Sequence, residues 1–322
     1  MEAGTLKRLY YQMRRIREVE EVIAELYPEQ EMRCPVHLCI GQEAISVGVC
    51  LNLGPEDYVL GNHRSHGHYL AKGGNLKAMM AEIYGKVTGC CQGKGGSMHL
   101  IDLPAGFLGA APIVGSTIPM GVGAALGTVM KGEPRVTVVF FGEGATEEGV
   151  FSESLNFAVL KKLPVVFVCE NNFFSVYSPL SVRQPPGREI YQLAQGHGIE
   201  SHKGDGNDVM EVCRLAQRAV SKARKGGGPT FLEFTTYRWR EHCGPYYDDH
   251  LGYRAECDLL EWRNRCPLDT FKERLLADEI LSLQEMEDME NQIKTEMAEA
   301  IAFAKQSPFP GEDLLLQHIY AP

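Results

Sequence analysis

The most constraining feature of this sequence is a pair of continuous apolar runs separated by a helical pattern. Residues 136–141 (Val-Thr-Val-Val-Phe-Phe) and 164–169 (Pro-Val-Val-Phe-Val-Cys) are rich in β-branched and aromatic side chains and contain no charged residue. Such runs are typical of strands buried on both faces, as in a parallel sheet. Between them, residues 147–161 place apolar side chains at helical spacing. This order predicts a β-α-β unit.

The same kind of pattern continues towards the C-terminus. Residues 208–224 predict another helix, the Gly-Gly-Gly-Pro at 226–229 ends it, and residues 230–234 predict a further buried strand. Two more helices are expected at residues 42–51 and 75–84. The chain therefore predicts an α/β fold, mainly a parallel sheet with helices on both faces.

Both ends of the chain have the spacing of amphipathic helices. Apolar side chains recur every three or four residues from Leu6 to Leu26, and again from Leu268 to Ile301. Since no linker rich in Pro, Gly or Ser divides the chain, we predict one domain over residues 1–322. Its N-terminal helical extension covers residues 1–40 and its C-terminal helical extension covers residues 267–322.

Composition and charge argue against several classes of function. A formal net charge of −10 over 322 residues makes a surface for nucleic acid or for an anionic membrane unexpected. We find no apolar stretch of membrane-spanning length and no signal-peptide pattern in the first thirty residues. The ten cysteines include no C-x-x-C pair, so reduced thiols are expected and a structural zinc site is not.

Polar sequences follow the two buried strands at the point where each strand ends. Gly-Glu-Gly-Ala at 142–145 comes before a predicted helix, an arrangement that suits phosphate because backbone N–H groups face the ligand. Glu-Asn-Asn at 170–172 adds carboxylate and carboxamide oxygens, which hard cations prefer. Ligands of parallel sheets bind outside the carboxyl ends of the strands. The sequence therefore predicts a diphosphate held through a magnesium ion.

Two commoner phosphate motifs do not fit. The dinucleotide pattern G-x-G-x-x-G fails because Glu147 stands where its third glycine should be. The P-loop pattern fails because Gly95, and not Ser or Thr, follows Lys94. The 34 glycines nevertheless concentrate between residues 85 and 149. This concentration indicates that the backbone there needs to lie close to another group, without side chains in between.

Taken together, these segments resemble a known family. Gly-Glu-Gly at 142–144, followed some thirty residues later by Asn-Asn at 171–172, is similar to the thiamine-diphosphate motif, normally Gly-Asp-Gly and Asn-Asn. Nearly the whole chain resembles the alpha subunit of the thiamine-diphosphate-dependent first component of 2-oxo acid dehydrogenase complexes, of pyruvate and acetoin type. The landmarks are HLCIGQEA at 37–44, HRSHG at 63–67, GKGGSMH at 93–99, IVG at 113–115, LPV at 163–165, YR at 237–238 and HIY at 318–320.

The resemblance implies a thiamine-diphosphate-binding fold and roles for individual residues. The magnesium ligands would be Glu143, Asn172 and the backbone carbonyl of Phe174. The cofactor would further contact His63, Arg64, Pro112, Val114, Gly142, Gly144, Ala145, Arg238 and His242. His37 and His242, the latter on a loop expected to be mobile, would be the catalytic residues. An imidazole suits acid–base work there because its pKa is near neutrality.

The implied function is decarboxylation of a pyruvate-like 2-oxo acid, or cleavage of acetoin, with transfer of the acyl group to a lipoyl acyltransferase. The partner would be a beta subunit, in an α2β2 heterotetramer, whose glutamate activates the aminopyrimidine ring. The compartment would be the cytoplasm of a bacterium or the mitochondrial matrix of a eukaryote. Two alternatives stay open: a non-oxidative split enzyme that transfers an acyl or ketol unit to an aldehyde, and a catalytically silent assembly subunit.

Three positions depart from the family pattern. Glu143 replaces the usual aspartate, and we expect it still to bind the metal with a curled side chain. Glu241 replaces a glycine and Cys243 replaces a serine beside His242. We expect Glu241 and Trp239 to border the mouth of the site and to change which substrate or acyl acceptor is tolerated.

Overall fold

A computed structural model describes residues 1–317 and 319 of the chain. The strands are β1 Tyr58–Gly61, β2 Phe107–Ala110, β3 Thr137–Gly142, β4 Val165–Asn171, β5 Phe174–Ser175, β6 Ser178–Pro179, β7 Glu200–Asp205 and β8 Thr230–Thr235. The helices are α1 Ala3–Leu26, α2 Glu43–Cys50, α3 His66–Ala71, α4 Leu76–Ile83, α5 Thr117–Lys131, α6 Gly149–Leu160, α7 Leu180–Arg183, α8 Ile190–Gln195, α9 Val209–Arg224, α10 Glu256–Asn264, α11 Pro267–Ala277 and α12 Leu283–Gln306. His318 and Tyr320 of the HIY landmark lie outside the described residues.

Six of the strands form one parallel sheet in the order β2-β1-β3-β4-β8-β7. β3 and β4 lie side by side, with Phe140 opposite Val168 and Gly142 opposite Glu170. The short strands β5 and β6 pair separately as an antiparallel hairpin. The predicted α/β fold with a parallel sheet is confirmed.

The side chains of β3 explain why its sequence is apolar throughout. Val138 and Phe140 point into an apolar cluster that contains side chains of α1, α2 and α9. Val139 and Phe141 point into a second cluster, with side chains of α5, α6 and α8. Successive side chains of a strand face opposite sides of the sheet. A strand covered by helices on both sides therefore shows no alternation with polar residues.

The predicted elements are present with small shifts at their ends, and several further elements were not predicted. Helices expected at 42–51, 75–84 and 208–224 correspond to α2, α4 and α9. Asn75 caps α4 by accepting a hydrogen bond from the N–H of Ala78 at 3.1 Å. The sequence analysis missed β1, β2, β7 and α5. β7 is a polar strand at the sheet edge, so it lacks the apolar signal of its neighbours.

Helix α5 escaped prediction because glycine is a poor helix former in general. The structure supplies a packing reason for one of its glycines. A Cβ atom at Gly121 would lie 2.1 Å from Cγ2 of Val139, on strand β3. The missing side chain lets α5 lie directly on the sheet.

One local expectation is corrected. The Gly-Glu-Gly-Ala segment does not lead directly into an α-helix, since a 3₁₀ helix covers Glu143–Glu147 and α6 begins only at Gly149. Thr146 stabilises this turn by donating from Oγ1 to the carbonyl of Glu143 at 2.7 Å. The extended backbone of Glu148, with ψ 139°, then separates the turn from α6.

The N-terminal helix α1 buries its apolar stripe in the same cluster as α2 and α9. Helices α11 and α12 also contribute to that cluster. The division into one domain with extensions at 1–40 and 267–322 stays a prediction. In the described residues, no helix is both long enough and apolar enough to cross a membrane.

Candidate active site

An open cavity lies at the carboxyl edge of the sheet, where the segments after β1, β3 and β4 meet. These segments contribute residues from 62–64, 142–145 and 170–176 to its wall. The rest of the wall comes from residues 37, 42, 98, 111–115, 117, 141 and 242. The cavity therefore lies where the sequence predicted a ligand.

Twelve of the thirteen residues proposed from the sequence line this cavity. They are His37, His63, Arg64, Pro112, Val114, Gly142, Glu143, Gly144, Ala145, Asn172, Phe174 and His242. Arg238 is not among the lining residues. Their individual roles stay predictions, but the fold brings together side chains that are up to 205 positions apart in the chain, from His37 to His242.

Three of these side chains, His37, His63 and His242, form what we call the histidine cluster. The ring centroids are 4.9 Å apart for His37 and His63, 5.1 Å for His37 and His242, and 5.5 Å for His63 and His242. Two of the pairs are edge to face. Both proposed acid–base groups thus lie in one part of the cavity.

Arg64 lies beside the histidine cluster and holds the loop that carries His242. Its Nη1 donates to the carbonyl of Leu38 at 2.7 Å, and its Nη2 donates to the carbonyl of His242 at 2.9 Å. The same Nη2 is 3.2 Å from Nδ1 of His242. Burial, reinforced by the Arg238 guanidinium, lowers the pKa of Arg64 to about 10. Arg64 still carries its charge at neutral pH.

Burial and positive charge keep the three histidines uncharged. Burial first, and the Arg64 guanidinium second, lower the pKa of His37 to about 3 and that of His242 to about 3. The same two causes hold the pKa of His63 well below its ordinary value. A negative charge beside the cluster would oppose the effect of Arg64, though not that of burial, and would act to raise these pKa values. The cavity is therefore suited to an anion.

Glu143 lies in the 3₁₀ helix after β3 and is only 1% exposed. Its Oε1 accepts a hydrogen bond from Nη2 of Arg183 at 2.5 Å, and Arg183 also pairs with Glu147. Burial raises the pKa of Glu143, and the charge of Arg183 opposes that rise. The carboxylate proposed to bind a metal thus has a cationic partner within the chain.

The other two proposed metal donors lie in the turn after β4. Asn172 lines the cavity, and its Nδ2 donates to Oε1 of Gln42 at 3.2 Å. Its Oδ1 accepts from the N–H of Phe174 at 3.2 Å. Asn171, by contrast, is directed to β8, where its Nδ2 donates to Glu233 at 2.8 Å. Only the second residue of the Asn-Asn pair faces the cavity.

Arg238, proposed to hold the diphosphate, is 1% exposed and is bonded to other parts of the chain. Its Nη1 donates to the carbonyl of Arg240 at 2.6 Å and to Asp248 at 3.4 Å. Its Nη2 donates to the carbonyl of Val176 at 2.9 Å and to the hydroxyl of Tyr253 at 2.7 Å. In this structure Arg238 ties together the loops on one side of the cavity.

The expectation that Glu241 and Trp239 border the mouth is corrected, since neither side chain lines the cavity. The Arg17 guanidinium lies over the Trp239 ring at 4.2 Å from its centroid. Oε1 of Glu241 accepts a hydrogen bond from the N–H of Tyr246 at 2.9 Å. Both side chains serve local packing of the loop.

Several lining residues were not singled out by the sequence analysis, among them Gln42, Asn62, Ser175 and Val176. Glu170, which the sequence analysis named with Asn171 and Asn172 as a source of oxygens for a hard cation, also lines the cavity. Gln42 belongs to the HLCIGQEA landmark, so its position was a usable signal. Ser175 and Val176 belong to no motif in the sequence, so no such signal pointed to them. They reach the cavity through the β5–β6 hairpin, whose strands have only two residues each.

The arrangement fits a magnesium diphosphate in two respects. Carboxylate, carboxamide and backbone carbonyl oxygens are the donor types that magnesium prefers, and all three types line the same cavity. A Cβ atom at Gly142 would meet no protein atom within 4 Å. The backbone at this turn is therefore accessible from the cavity, as a diphosphate in contact with it requires.

Comparison with known proteins agrees with this geometry. A family model for the dehydrogenase E1 component matches residues 11–312. The alpha subunit of the pyruvate dehydrogenase E1 component of Porphyra purpurea is 38% identical, covering 97% of this chain and 92% of its own length. The alpha subunit of acetoin:2,6-dichlorophenolindophenol oxidoreductase of Bacillus subtilis is 37% identical over the same shares of both chains.

A human relative is more distant but also aligns over most of the chain. The testis-specific mitochondrial alpha subunit of the pyruvate dehydrogenase E1 component is 33% identical, covering 97% of this chain and 79% of that protein. All three relatives are alpha subunits. The chain therefore belongs to the dehydrogenase E1 component family of thiamine-diphosphate-dependent enzymes, as an alpha-type subunit.

Proposed function

We propose that this chain binds thiamine diphosphate through Mg²⁺ and acts on a pyruvate-like 2-oxo acid or on acetoin. The observation that carries the proposal is the convergence, in one cavity, of hard oxygen donors with Arg64 and the histidine cluster. The oxygen donors would bind the metal. Arg64, with the histidine cluster beside it, would bind the diphosphate and the substrate carboxylate. Two of the relatives are subunits of a pyruvate dehydrogenase and of an acetoin oxidoreductase, which supports the substrate class.

The metal would be held by Glu143, Asn172 and the carbonyl of Phe174. Since Arg183 is paired with one oxygen of Glu143, a metal at that oxygen requires Arg183 to move, or binds through the second oxygen. Arg183 keeps another anionic partner in Glu147. The displaced guanidinium would therefore not be left without a counter-charge.

When bound, thiamine diphosphate supplies the carbon nucleophile for the substrate carbonyl and accepts the electron pair released with carbon dioxide. The chain's own residues would position the reactants and move protons. His37 and His242 are uncharged at neutral pH because burial and Arg64 lower their pKa values to about 3, so the expected pKa near neutrality is not met in this structure. Each would offer a ring nitrogen as a hydrogen-bond acceptor, and acid–base work at neutral pH requires a bound ligand to raise these pKa values. Arg64 would stabilise negative charge at the same place.

An exposed apolar surface supports a partner subunit. Ile113 and Val114, at the rim of the cavity, are 73% and 48% exposed. Met120 and Met130 on α5 are also exposed, and Cβ atoms at Gly123 and Gly127 would meet nothing within 4 Å. Exposed apolar patches of this kind mark interaction sites.

We propose that a beta subunit covers this surface in an α2β2 assembly and completes the site. A lipoyl acyltransferase is the proposed acceptor of the acyl group. The compartment would be the bacterial cytoplasm, or the mitochondrial matrix in a eukaryote. The altered loop that suggested an aldehyde-dependent enzyme no longer favours that alternative, because Glu241 and Trp239 do not reach the cavity.

The test uses the chain assembled with its beta subunit. Calorimetry should show magnesium-dependent binding of thiamine diphosphate in the native heteromer and in Glu143→Asp, and loss of this binding in Glu143→Ala. Unchanged affinity in Glu143→Ala would mean that Glu143 is not a ligand and would support a silent subunit.

Turnover is then measured with 2-oxo acids, acetoin and aldehyde acceptors, using a dye as electron acceptor. We expect dye reduction with a 2-oxo acid or acetoin. Turnover that depends only on an added aldehyde would instead identify a ketol transferase.

A further inference from the structure

We propose that Glu170 is a positioning residue for the turn that presents His63 and Arg64 to the cavity. The proposal rests on the cofactor site proposed above and deepens it, because it assigns a role to a buried carboxylate that the site as proposed does not use. Neither metal binding nor proton transfer is assigned to Glu170. Its effect is transmitted through two neighbours, Asn62 and His68.

Glu170 lies at the end of β4, beside Gly142 on the adjacent strand, and is 3% exposed. One of its oxygens, Oε1, is 3.0 Å from Nε2 of His68. The other, Oε2, accepts a hydrogen bond from Nδ2 of Asn62 at 3.4 Å. The carboxylate therefore joins strand β4 to both ends of the segment 62–68.

Asn62 connects this carboxylate to the backbone of the turn. It directly follows β1, and its Oδ1 accepts a hydrogen bond from the N–H of Arg64 at 2.7 Å. One carboxamide thus bonds on one side to Glu170 and on the other to Arg64. Because the orientation of Asn62 sets both bonds, the carboxylate sets the orientation of the turn.

His68 gives the arrangement a fixed anchor. Its ring stacks on Phe140 of β3, with centroids 4.1 Å apart and planes 15° from parallel, and it is 1% exposed. Within the described chain its buried Nδ1 has no hydrogen-bond partner. Nε2 of His68 is therefore the ring nitrogen that donates a hydrogen bond to Glu170.

Electrostatics argues that Glu170 has a role beyond filling space. A buried carboxylate beside a site for a diphosphate repels the ligand and loses its own hydration. Among the described residues Glu170 has His68 as a hydrogen-bond partner and no arginine or lysine nitrogen within 4 Å of its carboxylate. The burial of this carboxylate is explained if its hydrogen bonds hold the turn with His63 and Arg64 in place.

A second buried pair provides a matched control. Glu20 and His66 lie at the same distance, 3.0 Å, and both side chains are fully buried. Glu20 also accepts from the N–H of Cys39 at 2.7 Å, and neither Glu20 nor His66 lines the cavity. The two pairs share their chemistry and burial, but only Glu170 is also bonded to Asn62, whose Oδ1 accepts from the N–H of Arg64.

The experiment measures affinity for thiamine diphosphate with Mg²⁺ by calorimetry on the assembled heteromer. Glu170→Gln keeps the shape, but when its oxygen faces His68 its NH₂ faces the NH₂ of Asn62. We expect affinity to fall about tenfold or more, the size expected for a lost buried hydrogen bond to a charged group. Glu20→Gln should lower the unfolding midpoint and leave affinity unchanged.

A double variant tests the link directly. In Glu170→Gln with Asn62→Asp the donor and the acceptor exchange places, since the Gln amide donates to the Asp carboxylate, which can still accept from the N–H of Arg64. We expect affinity to return to within about threefold of the native value. Asn62→Asp alone, which sets two carboxylates against each other, should bind poorly.

Native affinity in Glu170→Gln, or a double variant that binds no better than the single ones, would overturn the proposal. Asn62→Ala breaks the same link from the half-buried side and replaces Glu170→Gln if that variant does not fold. Arg64→Met separates this inference from the proposed function. If Arg64→Met binds normally, the cofactor site itself is wrong, whereas weak binding by Arg64→Met with native binding by Glu170→Gln rejects only the role of Glu170.

Discussion

Two glycine-rich segments of this protein differ in what they surround: the first encloses a carboxylate of the chain itself, and the second lines the open cavity. The first, which we call the Glu82 cradle, comprises residues 91–96 around the carboxylate of Glu82. Oε2 of Glu82 accepts from the N–H groups of Cys91 at 2.7 Å and Gly93 at 3.0 Å. Oε1 accepts from those of Gly95 at 2.7 Å and Gly96 at 3.0 Å. The anion here is internal, fully buried and complete.

The second segment, residues 142–145, turns towards the open cavity. Its own carboxylate, Glu143, is paired with Arg183 and not with the backbone N–H groups of neighbouring glycines. The Arg64 guanidinium lies beside the histidine cluster in this cavity, and its charge, after burial, lowers the pKa values of the three histidines.

The difference shows what a glycine-rich segment alone can say. Glycine and free N–H groups indicate that an anion will be held, in agreement with the behaviour of backbone nests. They do not indicate whether the anion belongs to the chain or comes from solution. In the Glu82 cradle the chain supplies it, so the segment is structural, whereas at 142–145 we propose that the ligand supplies it.

The largest effect is expected when the internal anion is removed. Glu82→Gln keeps one accepting oxygen and sets an NH₂ group against two of the four N–H donors. We expect a loss of about 3–5 kcal/mol in the free energy of unfolding, since buried donors are left unpaired. Urea unfolding measures it. A loss of cofactor affinity without a loss of stability would contradict the structural role.

A pair of glycine substitutions sharpens the comparison. Gly93 has φ 76°, and a Cβ there would lie 2.7 Å from the carbonyl oxygen of Gly85. Gly93→Ala should therefore cost about 2 kcal/mol of stability. Gly142 has φ −77° and open space at its Cβ position, so Gly142→Ala should change stability by less than about 0.5 kcal/mol.

Cofactor binding should show the reverse order for the same two variants. The added methyl group of Gly142→Ala occupies space at the wall of the cavity, and we expect affinity for thiamine diphosphate to fall about tenfold, equivalent to ~1.4 kcal/mol. Folded Gly93→Ala should bind normally. Equal effects of both variants on affinity would remove the distinction between the two segments.

The pH dependence of folding stability reports the lowered pKa values of the histidine cluster. The pKa values of His37 and His242 lie near 3 in the folded chain, against about 6.5 when unfolded. The unfolded state therefore binds more protons, and stability falls as pH is lowered from about 6.5 towards 3. Double substitution of both histidines by Asn should flatten this fall in thermal unfolding.

The smallest effect is expected at Arg183. If Mg²⁺ displaces its guanidinium from Glu143, Arg183→Met removes a competing cation and should raise magnesium affinity up to about fivefold, the equivalent of a ~1 kcal/mol ion pair. Arg188→Met, in the same loop but without an ion pair among the described residues, is the control. A fall in magnesium affinity in Arg183→Met would place Arg183 in the cofactor site itself.

Much of the fold was predictable because it depends on local patterns. The apolar runs of β3, β4 and β8 and the cap Asn75 identify these elements directly, since burial on two faces and unpaired helix ends leave marks in adjacent residues. The polar edge strand β7 and the glycine-containing helix α5 leave no such mark. Their formation depends on neighbours that come from elsewhere in the chain.

The sequence by itself determined that a site exists at the ends of β3 and β4, and its motifs identified most of the lining residues. Only the tertiary structure decided their partners: Glu143 with Arg183, Arg238 with Asp248 and Tyr253, and Glu82 with four backbone N–H groups. The physical reason is that hydrogen bonds and ion pairs depend on distances of a few ångströms between residues far apart in the chain. Asn62 and Glu170, separated by 108 positions, are bonded in the folded protein, and no periodic pattern in the sequence records that contact.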